Sequence, residues 1–495
     1  MVAIFNKEMM SWYLITLKLR ETMESQIPKS PDGTRSIDLL PLSQPSNPTD
    51  PDSGWIISIK EKLDHAYQED IAGSWLKLSI YRIPHYLKDE DNKAYVPQFV
   101  SLGPYHNSRP EVHPMECHKW RALYHMLKRT RHDIHVYLDA VRELEERARS
   151  CYEGVIYRSS NEFVEMMVLD GCFVLELLRG AAEGFKELGY PRNDPIFAIR
   201  GSMHSIHRDM IMLENQIPIF VLDTLLAIQL NKKNLKGFVA ALAIRFFDPL
   251  MPNDKPESEG GVVFDPLTDD EGLHFLDIFR RSLLRAGPKP NPKIRLKRWS
   301  NVARVADKRQ QQLIHCVSEL KEAGIRFVRR KAERFWDIKF SNGSLRMPRL
   351  LIHDGTKSLF LNLIAFEQCH PDCSNDITSY VIFMDNLINS PEDVAYLHYV
   401  GIIEHWLGSD AEVAELFNKL CQEVVFDMND SYLSCLSEDI NRYYNHRWNA
   451  WRASLKHNYF SNPWSTISFI AAVVLLILTF TQTFFSVYPY YRPPK

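Results

Sequence analysis

Residues 162–178 read EFVEMMVLDGCFVLELL, the strongest helical pattern in the chain. Its apolar side chains recur at the 3.6-residue period of an α-helix, with Phe163, Met167 and Val174 on one stripe. Weaker stripes occur at 120–127 and at 206–217, and Pro218 removes the backbone donor that would continue the second of them. The pattern predicts a mainly helical domain.

Asp170 lies on the apolar side of this helix, where an unpaired carboxylate would be costly to bury. We expect it to belong to a polar network, with Arg208 and Glu214 on the neighbouring helix as candidate partners. The alternative is a catalytic acid in a site shared with His207, Asp209 and Glu214. An enzyme requires these carboxylates to converge on an accessible cleft, whereas a structural network would be sealed and fully paired.

The clearest β signal is the Asn-Gly pair at 342–343, between extended segments at 336–340 and 345–347. Asn-Gly favours the positive φ angles of a tight turn, so this pattern predicts a β-hairpin. Helical patterns then resume at 358–368, at 377–388, at 393–407 and again from Asp410.

An uncharged apolar segment follows at residues 464–487, WSTISFIAAVVLLILTFTQTFFSV. As a helix it would extend about 36 Å, enough to cross a hydrocarbon layer about 30 Å thick. Its hydroxyl side chains can bond back to their own helix, and aromatic residues flank it, which favours a membrane span over a buried core helix. The predicted span includes Trp464, Phe469, Leu475, Leu476, Phe480 and Val487. The predicted fold class is therefore mainly α, a helical globular domain with a minor β-hairpin, plus one C-terminal transmembrane helix.

The charges around this span predict its orientation. The basic residues near its amino end are Arg442, Arg447, Arg452 and Lys456, and those beyond it are Arg492 and Lys495. The positive-inside rule then places the large domain in the cytosol, held by a single-pass C-terminal anchor. Glycosylation sequons at Asn342 and Asn429 offer a test, because they would be modified only in a lumenal domain.

The remaining segments differ in composition. Residues 1–27 carry an amphipathic pattern in which Lys18 interrupts the apolar run, which makes them a poor match to a secretory signal and favours a short amphipathic helix. Six prolines within 28–54 predict a disordered linker. The predicted globular domain spans 55–463, with a charged, turn-rich insertion at about 252–299, and residues 488–495 form a short tail.

Composition excludes some classes of protein. With 45% hydrophobic and 24% charged residues the chain has the balance of an ordinary folded protein. A net charge of −3 gives no overall attraction to nucleic acid, so no nucleic-acid partner is expected. Eight cysteines without a C-x-x-C pair predict reduced thiols rather than a disulfide framework.

Three short motifs suggest chemistry, and each has a simpler interpretation. The triplet HRD at 207–209 resembles a kinase catalytic loop, but no glycine-rich loop precedes it and no Asp-Phe-Gly follows. The CHPDC segment at 369–373 lacks a complete zinc ligand set, and buried thiols at a helix end are more common. Cys172 with His207 as a nucleophile and base is disfavoured because Cys172 lies within a helix. We therefore assign no catalytic, cofactor-binding or metal-binding residue, and expect no cofactor.

Several ordered blocks resemble the plant family catalogued as domain of unknown function 247, also called uncharacterised protein family 0481. The blocks are IYRIP at 80–84, YVPQ at 95–98, SLGPYH at 101–106, ME at 115–116 with KWR at 119–121, EFVEMMVLD at 162–170, RD at 208–209 with LENQIP at 213–218, and NLIAFEQCH at 362–370. The resemblance covers about 55–487 and implies a membrane span near its end. It implies no catalytic activity and no active-site residues, because none is established for the family.

Some grass members of the family are implicated as pollen-side recognition determinants in self-incompatibility. By analogy, the resemblance implies a membrane-anchored plant protein that acts in recognition or signalling, with the lipid bilayer and another protein as partners. The alternative is an enzyme with a site around Asp170, His207, Asp209 and Glu214. A pore formed by the final helix is disfavoured because the span lacks charge and a clear small-residue seam.

Overall fold

The computed structural model describes residues 77–252, 273–284, 314–446 and 463–491, with gaps at 198, 233–234, 236, 333, 423, 425 and 427–430, and six helical positions within 55–63. The chain divides into two compact units, Met1–Ala72 and Gly73–Lys495, and the elements below belong to the second. The predicted extension at 1–27, the predicted linker at 28–54 and the flanks of the predicted insertion at 253–272 and 285–299 lie outside the described residues.

The described part of the second unit is mainly helical. Its elements up to residue 284 are α1 (His85–Glu90), α2 (Asn92–Tyr95), a 3-10 turn (His113–Met115), α3 (Glu116–Thr130), α4 (Ile134–Glu143), α5 (Glu145–Arg149), α6 (Ser160–Glu183), α7 (Arg200–Met210), α8 (Ile219–Leu230), α9 (Phe238–Phe246), a 3-10 turn (Asp248–Leu250) and α10 (Phe275–Leu284). Those that follow are α11 (Val317–Glu322), β1 (Arg326–Arg329), β2 (Lys339–Ser341), β3 (Ser344–Met347), β4 (Leu350–Ile352), α12 (Thr356–Cys369), α13 (Asp376–Leu387), α14 (Pro391–Tyr399), β5 (Ile403–His405), α15 (Asp410–Leu420), α16 (Ser434–Tyr444) and α17 (Pro463–Tyr491).

Helix α6 contains the predicted stripe and packs against α3, α4, α8 and α9. Ser159 begins it with a capping box, in which the Ser159 hydroxyl accepts from the Glu162 amide and the Glu162 carboxylate accepts from the Ser159 amide. Every residue from 163 to 180 is buried except Glu165. Gly171 permits close contact with α8, because a Cβ there would lie 2.4 Å from Cδ1 of Leu225.

Helix α7 ends at Met210, so the helical pattern predicted to continue to Pro218 was wrong beyond that point. The side chains of Asn215 and Gln216 explain the early end. Asn215 Nδ2 donates to the Asp209 carbonyl at 2.9 Å, and Gln216 Nε2 donates to the Met210 and Met212 carbonyls at 2.8 and 2.6 Å. These amides satisfy carbonyls that a further helical turn would have used.

The predicted hairpin is confirmed. Strands β2 and β3 pair antiparallel, and Asn342 and Gly343 between them have φ angles of 51° and 67°. β1 joins β3 in parallel to complete a three-stranded sheet, and β4 and β5 form a separate parallel pair.

The helices form two groups along the chain, the first from α1 to α10 and the second from α12 to α15, and α12 of the second group contacts α2 and α10 of the first. The helix predicted at 393–407 was wrong beyond Tyr399, because Gly401 adopts a φ of 74° and the chain enters β5. Helix α10 lies within the predicted insertion but is buried along most of its length, so this stretch is part of the core.

The final helix α17 contains the predicted span. Residues Ile467–Phe484 have a mean hydropathy of 2.2, and none of that window is buried inside the protein. Thr479, Thr481 and Thr483 donate to backbone carbonyls four residues earlier, so these hydroxyls are satisfied within the helix. With 29 residues, α17 extends about 43 Å, and it is long and apolar enough to cross a membrane.

Candidate functional site

Two of the carboxylates singled out from the sequence, Asp170 and Asp209, bind one stretch of irregular backbone at residues 98–103, which we call the 98–103 segment. Side chains from α3, α6 and α7, and from the turn after α7, bind its amides and carbonyls. Because a buried backbone outside helices and sheets must find other hydrogen-bond partners, these side chains replace regular secondary structure.

Asp209, in the last turn of α7, binds three consecutive amides of this segment. Its Oδ2 accepts hydrogen bonds from the backbone nitrogens of Gln98, Phe99 and Val100 at 3.0, 2.6 and 3.0 Å. Its Oδ1 lies 2.9 Å from Nη2 of Arg208. Burial raises the pKa of Asp209, and the Arg208 guanidinium and the backbone amides oppose that rise.

Asn215 continues the same set of contacts. Its Oδ1 accepts from the Leu102 amide at 2.6 Å, and its Nδ2 donates to the Val100 carbonyl at 3.0 Å. One amide side chain therefore bridges two positions of the 98–103 segment while it also caps the Asp209 carbonyl.

Lys119 and Asp170 form a buried ion pair on the other side of the segment. Lys119 Nζ lies 2.7 Å from Asp170 Oδ1 and donates to the Ser101 carbonyl at 2.7 Å. Asp170 Oδ2 accepts from the Gly103 amide at 2.9 Å. Burial alone would lower the pKa of Lys119, but the carboxylates of Asp170 and Glu116 outweigh it and raise that pKa. Burial raises the pKa of Asp170, and the Lys119 ammonium opposes the rise.

Glu214 binds the segment before α1 in a comparable way. Its Oε1 accepts from the Ile83 amide at 2.7 Å and from Lys88 Nζ at 2.6 Å, and its Oε2 lies 3.0 Å from His106 Nε2. Burial would raise the pKa of Glu214, but the hydrogen bonds from His106 and Lys88 outweigh burial and lower it.

The structure therefore places Asp170, Arg208 and Glu214 in separate ion pairs rather than in contact with one another. Asp170 pairs with Lys119 because α3 packs directly against α6, while Arg208 pairs with its neighbour Asp209. Sequence reasoning did not identify Lys119 as this partner. The available signal was a lysine on the buried, apolar face of α3, beside Ala122, Leu123 and Met126.

In the part of the chain that the structure describes, these carboxylates do not converge on the open cleft that the enzyme alternative requires. Asp170, Asp209 and Glu214 are at most 3% exposed, and each accepts hydrogen bonds from protein donors. His207 packs against the ring of Phe246 at 4.2 Å, and burial lowers its pKa to about 4. The carboxylates thus bind protein backbone, as expected of a structural polar network.

The cysteines of the sequence motifs are buried or packed against the hydrophobic core. The ring of His370 stacks on Phe366 and its Nδ1 lies 2.9 Å from the Tyr81 hydroxyl oxygen. Burial raises the pKa of Cys369 to about 11 and that of Cys373 to about 12, so both thiols are protonated at neutral pH. Burial likewise raises the pKa of Cys172, which does not favour a nucleophile there.

Asn362 connects the two helical groups. Its Oδ1 accepts from the Leu213 amide at 2.9 Å, and its Nδ2 donates to the Ala94 carbonyl at 2.9 Å. Helix α12 is thereby tied both to α2 and to the turn that carries Glu214 and Asn215.

The fold and the site together define a class of protein. Its members would have a helical domain, in which buried polar side chains hold an internal backbone segment, followed by an apolar helix. The family model described as plant protein of unknown function matches residues 80–478, and the chain belongs to this family, domain of unknown function 247. The family resemblance inferred from the sequence is confirmed. The sequence blocks on which this resemblance rests contain most of the side chains that bind the 98–103 segment.

Two relatives from Arabidopsis thaliana support the assignment. The chain is 31% identical over 430 residues to UPF0481 protein At3g47200, which covers 84% of this chain and 87% of that protein. It is 25% identical over 509 residues to UPF0481 protein At3g02645, which covers 87% of this chain and 94% of that protein. No solved structure matches the chain.

Proposed function

We propose that this protein is anchored in a membrane by α17 and acts in recognition or signalling by binding a protein partner on the cytosolic side. The observation that carries the proposal is the exposure of α17, whose apolar window Ile467–Phe484 has no buried residue. An apolar surface of this size is normally covered by lipid or by another protein.

The polar core supports a binding role over catalysis. The buried carboxylates bind backbone segments of the domain itself. The side chains that a partner can contact are therefore those on the surface. A domain held at a membrane also gains effective concentration near other membrane proteins, which strengthens weak contacts.

Tyr399 and Trp406 are the candidate contact residues for the partner. Their side chains are 88% and 71% exposed, and they lie at the end of α14 and directly after β5. Large aromatic side chains contribute much of the binding energy at protein interfaces. The basic residues between α16 and α17 favour a cytosolic location for this surface through the positive-inside rule.

The proposal is tested by proximity labelling with the full-length protein in plant cells, followed by direct binding of each labelled protein to the purified protein in detergent. We expect at least one labelled protein to bind with an affinity that the double variant Tyr399→Ala, Trp406→Ala reduces by at least about 10-fold. Tyr157→Ala is the matched control, because Tyr157 is 92% exposed elsewhere. Equal binding by the double variant and the control would reject this surface as the partner site.

A further inference from the structure

His398, His405 and Asp410 bring three metal-binding atoms together outside the polar core. One ligand atom from each residue lies within 4.8 Å of the other two. His398 lies in the last turn of α14, His405 is the last residue of β5, and Asp410 is the first residue of α15.

The local fold fixes the backbone of these residues. His405 pairs with Ile352 across the β4–β5 ladder, and the Trp406 amide donates to the Ile352 carbonyl at 2.9 Å. Ser409 caps α15 by accepting from the Glu412 amide, which sets the position of Asp410. Helices α14 and α15 pack against each other, so the His398 side chain is brought toward the same point.

The distances suit a small divalent ion after minor side-chain adjustment. His405 Nε2 lies 2.8 Å from Asp410 Oδ1, and His398 Nδ1 lies 3.9 Å from the same oxygen. A tetrahedral ion bound at about 2.0–2.2 Å would hold its ligand atoms roughly 3.3–3.6 Å apart. These two separations lie on either side of that range, within about half an ångström, and the ligand nitrogens of the two histidines lie within 4.8 Å of each other.

We propose that His398, His405 and Asp410 bind one Zn²⁺ or a similar first-row divalent ion, with at least one coordination position left for water or for a ligand from a partner. Two imidazoles and a carboxylate form a ligand set that suits these ions. The His398 side chain is half exposed and Asp410 is partly exposed, so an ion can enter from solvent.

Two features predict a weaker affinity than that of a tight structural site. His405 Nδ1 is buried and has no hydrogen-bond partner among the described residues, whereas the second nitrogen of a metal-binding histidine usually has one. The ion would also lie at the amino end of α15, where the helix dipole disfavours a cation.

The simpler explanation is a His405–Asp410 hydrogen bond with His398 nearby in solvent. The two explanations differ in what His398 does, because only an ion requires this half-exposed side chain. His398→Ala is therefore the most informative variant. Because the His398 side chain is half exposed, the variant should still fold, and a thermal melt checks this.

The experiment is a Co²⁺ titration of the full-length protein, purified in detergent without a histidine tag and followed by visible absorption. We expect one Co²⁺ per chain, displaced by Zn²⁺, with affinity lowered at least about 10-fold by His398→Ala and by Asp410→Asn. His135→Ala, at an exposed histidine on α4, should bind as the wild type does. The proposal is overturned if the wild type gives no saturable Co²⁺ spectrum, or if His398→Ala retains full affinity. Because ion binding is measured directly, either result leaves the membrane proposal untouched.

Discussion

The ammonium of Lys119 lies 2.7 Å from the carboxylate of Asp170, and both side chains are almost completely buried between α3 and α6. Through Ser101 and Gly103 the same two groups hold the 98–103 segment. A buried pair of this kind is costly to break, because the remaining charge has no water to solvate it. The ion pair therefore couples the packing of α3 against α6 to the position of the 98–103 segment.

Replacing Lys119 with Met should destabilise the fold by about 3–5 kcal/mol, because Asp170 would remain as an uncompensated buried charge. The free energy of unfolding of the full-length protein in detergent is the measurement. Lys186→Met, at an exposed lysine, is the control and should change it by less than about 0.5 kcal/mol. A loss below about 1 kcal/mol for Lys119→Met would contradict the role given to the pair.

Gly103→Ala should destabilise the protein more than Gly189→Ala. Both glycines have positive φ angles, of 71° and 91°, so both substitutions strain the backbone. Only at Gly103 would the new Cβ also meet a neighbour, the Gln216 carbonyl oxygen at 2.8 Å, whereas nothing lies within 4 Å at Gly189. Thermal melting of the two variants compares these costs, and equal losses would show that the close contact at Gly103 has no energetic effect.

Stability should fall as the pH drops from about 6.5 toward 4, in part because of His274. Burial lowers the pKa of His274 to about 4. Its Nε2 lies 2.9 Å from the Ser79 carbonyl and its Nδ1 accepts from the Asp277 amide, so the neutral ring is satisfied. The unfolded chain takes up this proton near pH 6.5 and the folded protein only near 4, so the stabilisation is complete above 6.5 and is lost between these values.

The corresponding test is melting temperature against pH for His274→Gln, with His135→Gln as the exposed control. Between pH 6.5 and 4, the free energy of unfolding should fall by about 3 kcal/mol less in His274→Gln than in the wild type, as the pKa difference of His274 requires. An unchanged slope for this variant would assign the acid sensitivity to other groups.

Asn342 should remain unglycosylated if the domain is cytosolic. The residue is exposed at the turn of the β2–β3 hairpin, so folding does not hide it. A sequon tag appended after Lys495 is the positive control, since it should enter the lumen and become modified. Glycosidase treatment of the protein from plant cells, followed by measurement of its apparent mass, shows whether each of the two sites is modified. Modification of Asn342 without modification of the tag would reverse the proposed orientation.

The sequence predicted what depends on local pattern. The apolar stripe through Phe163 and Val174 specified α6, and Asn342-Gly343 specified the hairpin through its positive φ angles. The apolar helix α17 was equally clear because length and composition alone define it.

The sequence did not reveal features that depend on distant contacts. The partner of Asp170 could not be chosen because it lies on α3, whose packing against α6 is a property of the fold. The end of α7 at Met210 depends on the side chains of Asn215 and Gln216 folding back onto its carbonyls. The change from helix α14 to strand β5 depends on pairing with β4. At the ends of α7 and α14, tertiary contacts override a helical sequence pattern. For Asp170, they determine which of several polar residues becomes its partner.

The most direct test of the account is the membrane partition of α17. The full-length protein, expressed in plant cells, should stay in the ultracentrifugation pellet after alkaline carbonate extraction. The double variant Leu475→Arg, Leu476→Arg should move to the supernatant, because two charges near the centre of the span cost roughly 5–7 kcal/mol to insert. The outcome that contradicts the account is a wild-type protein that is released into the supernatant by carbonate as readily as the variant.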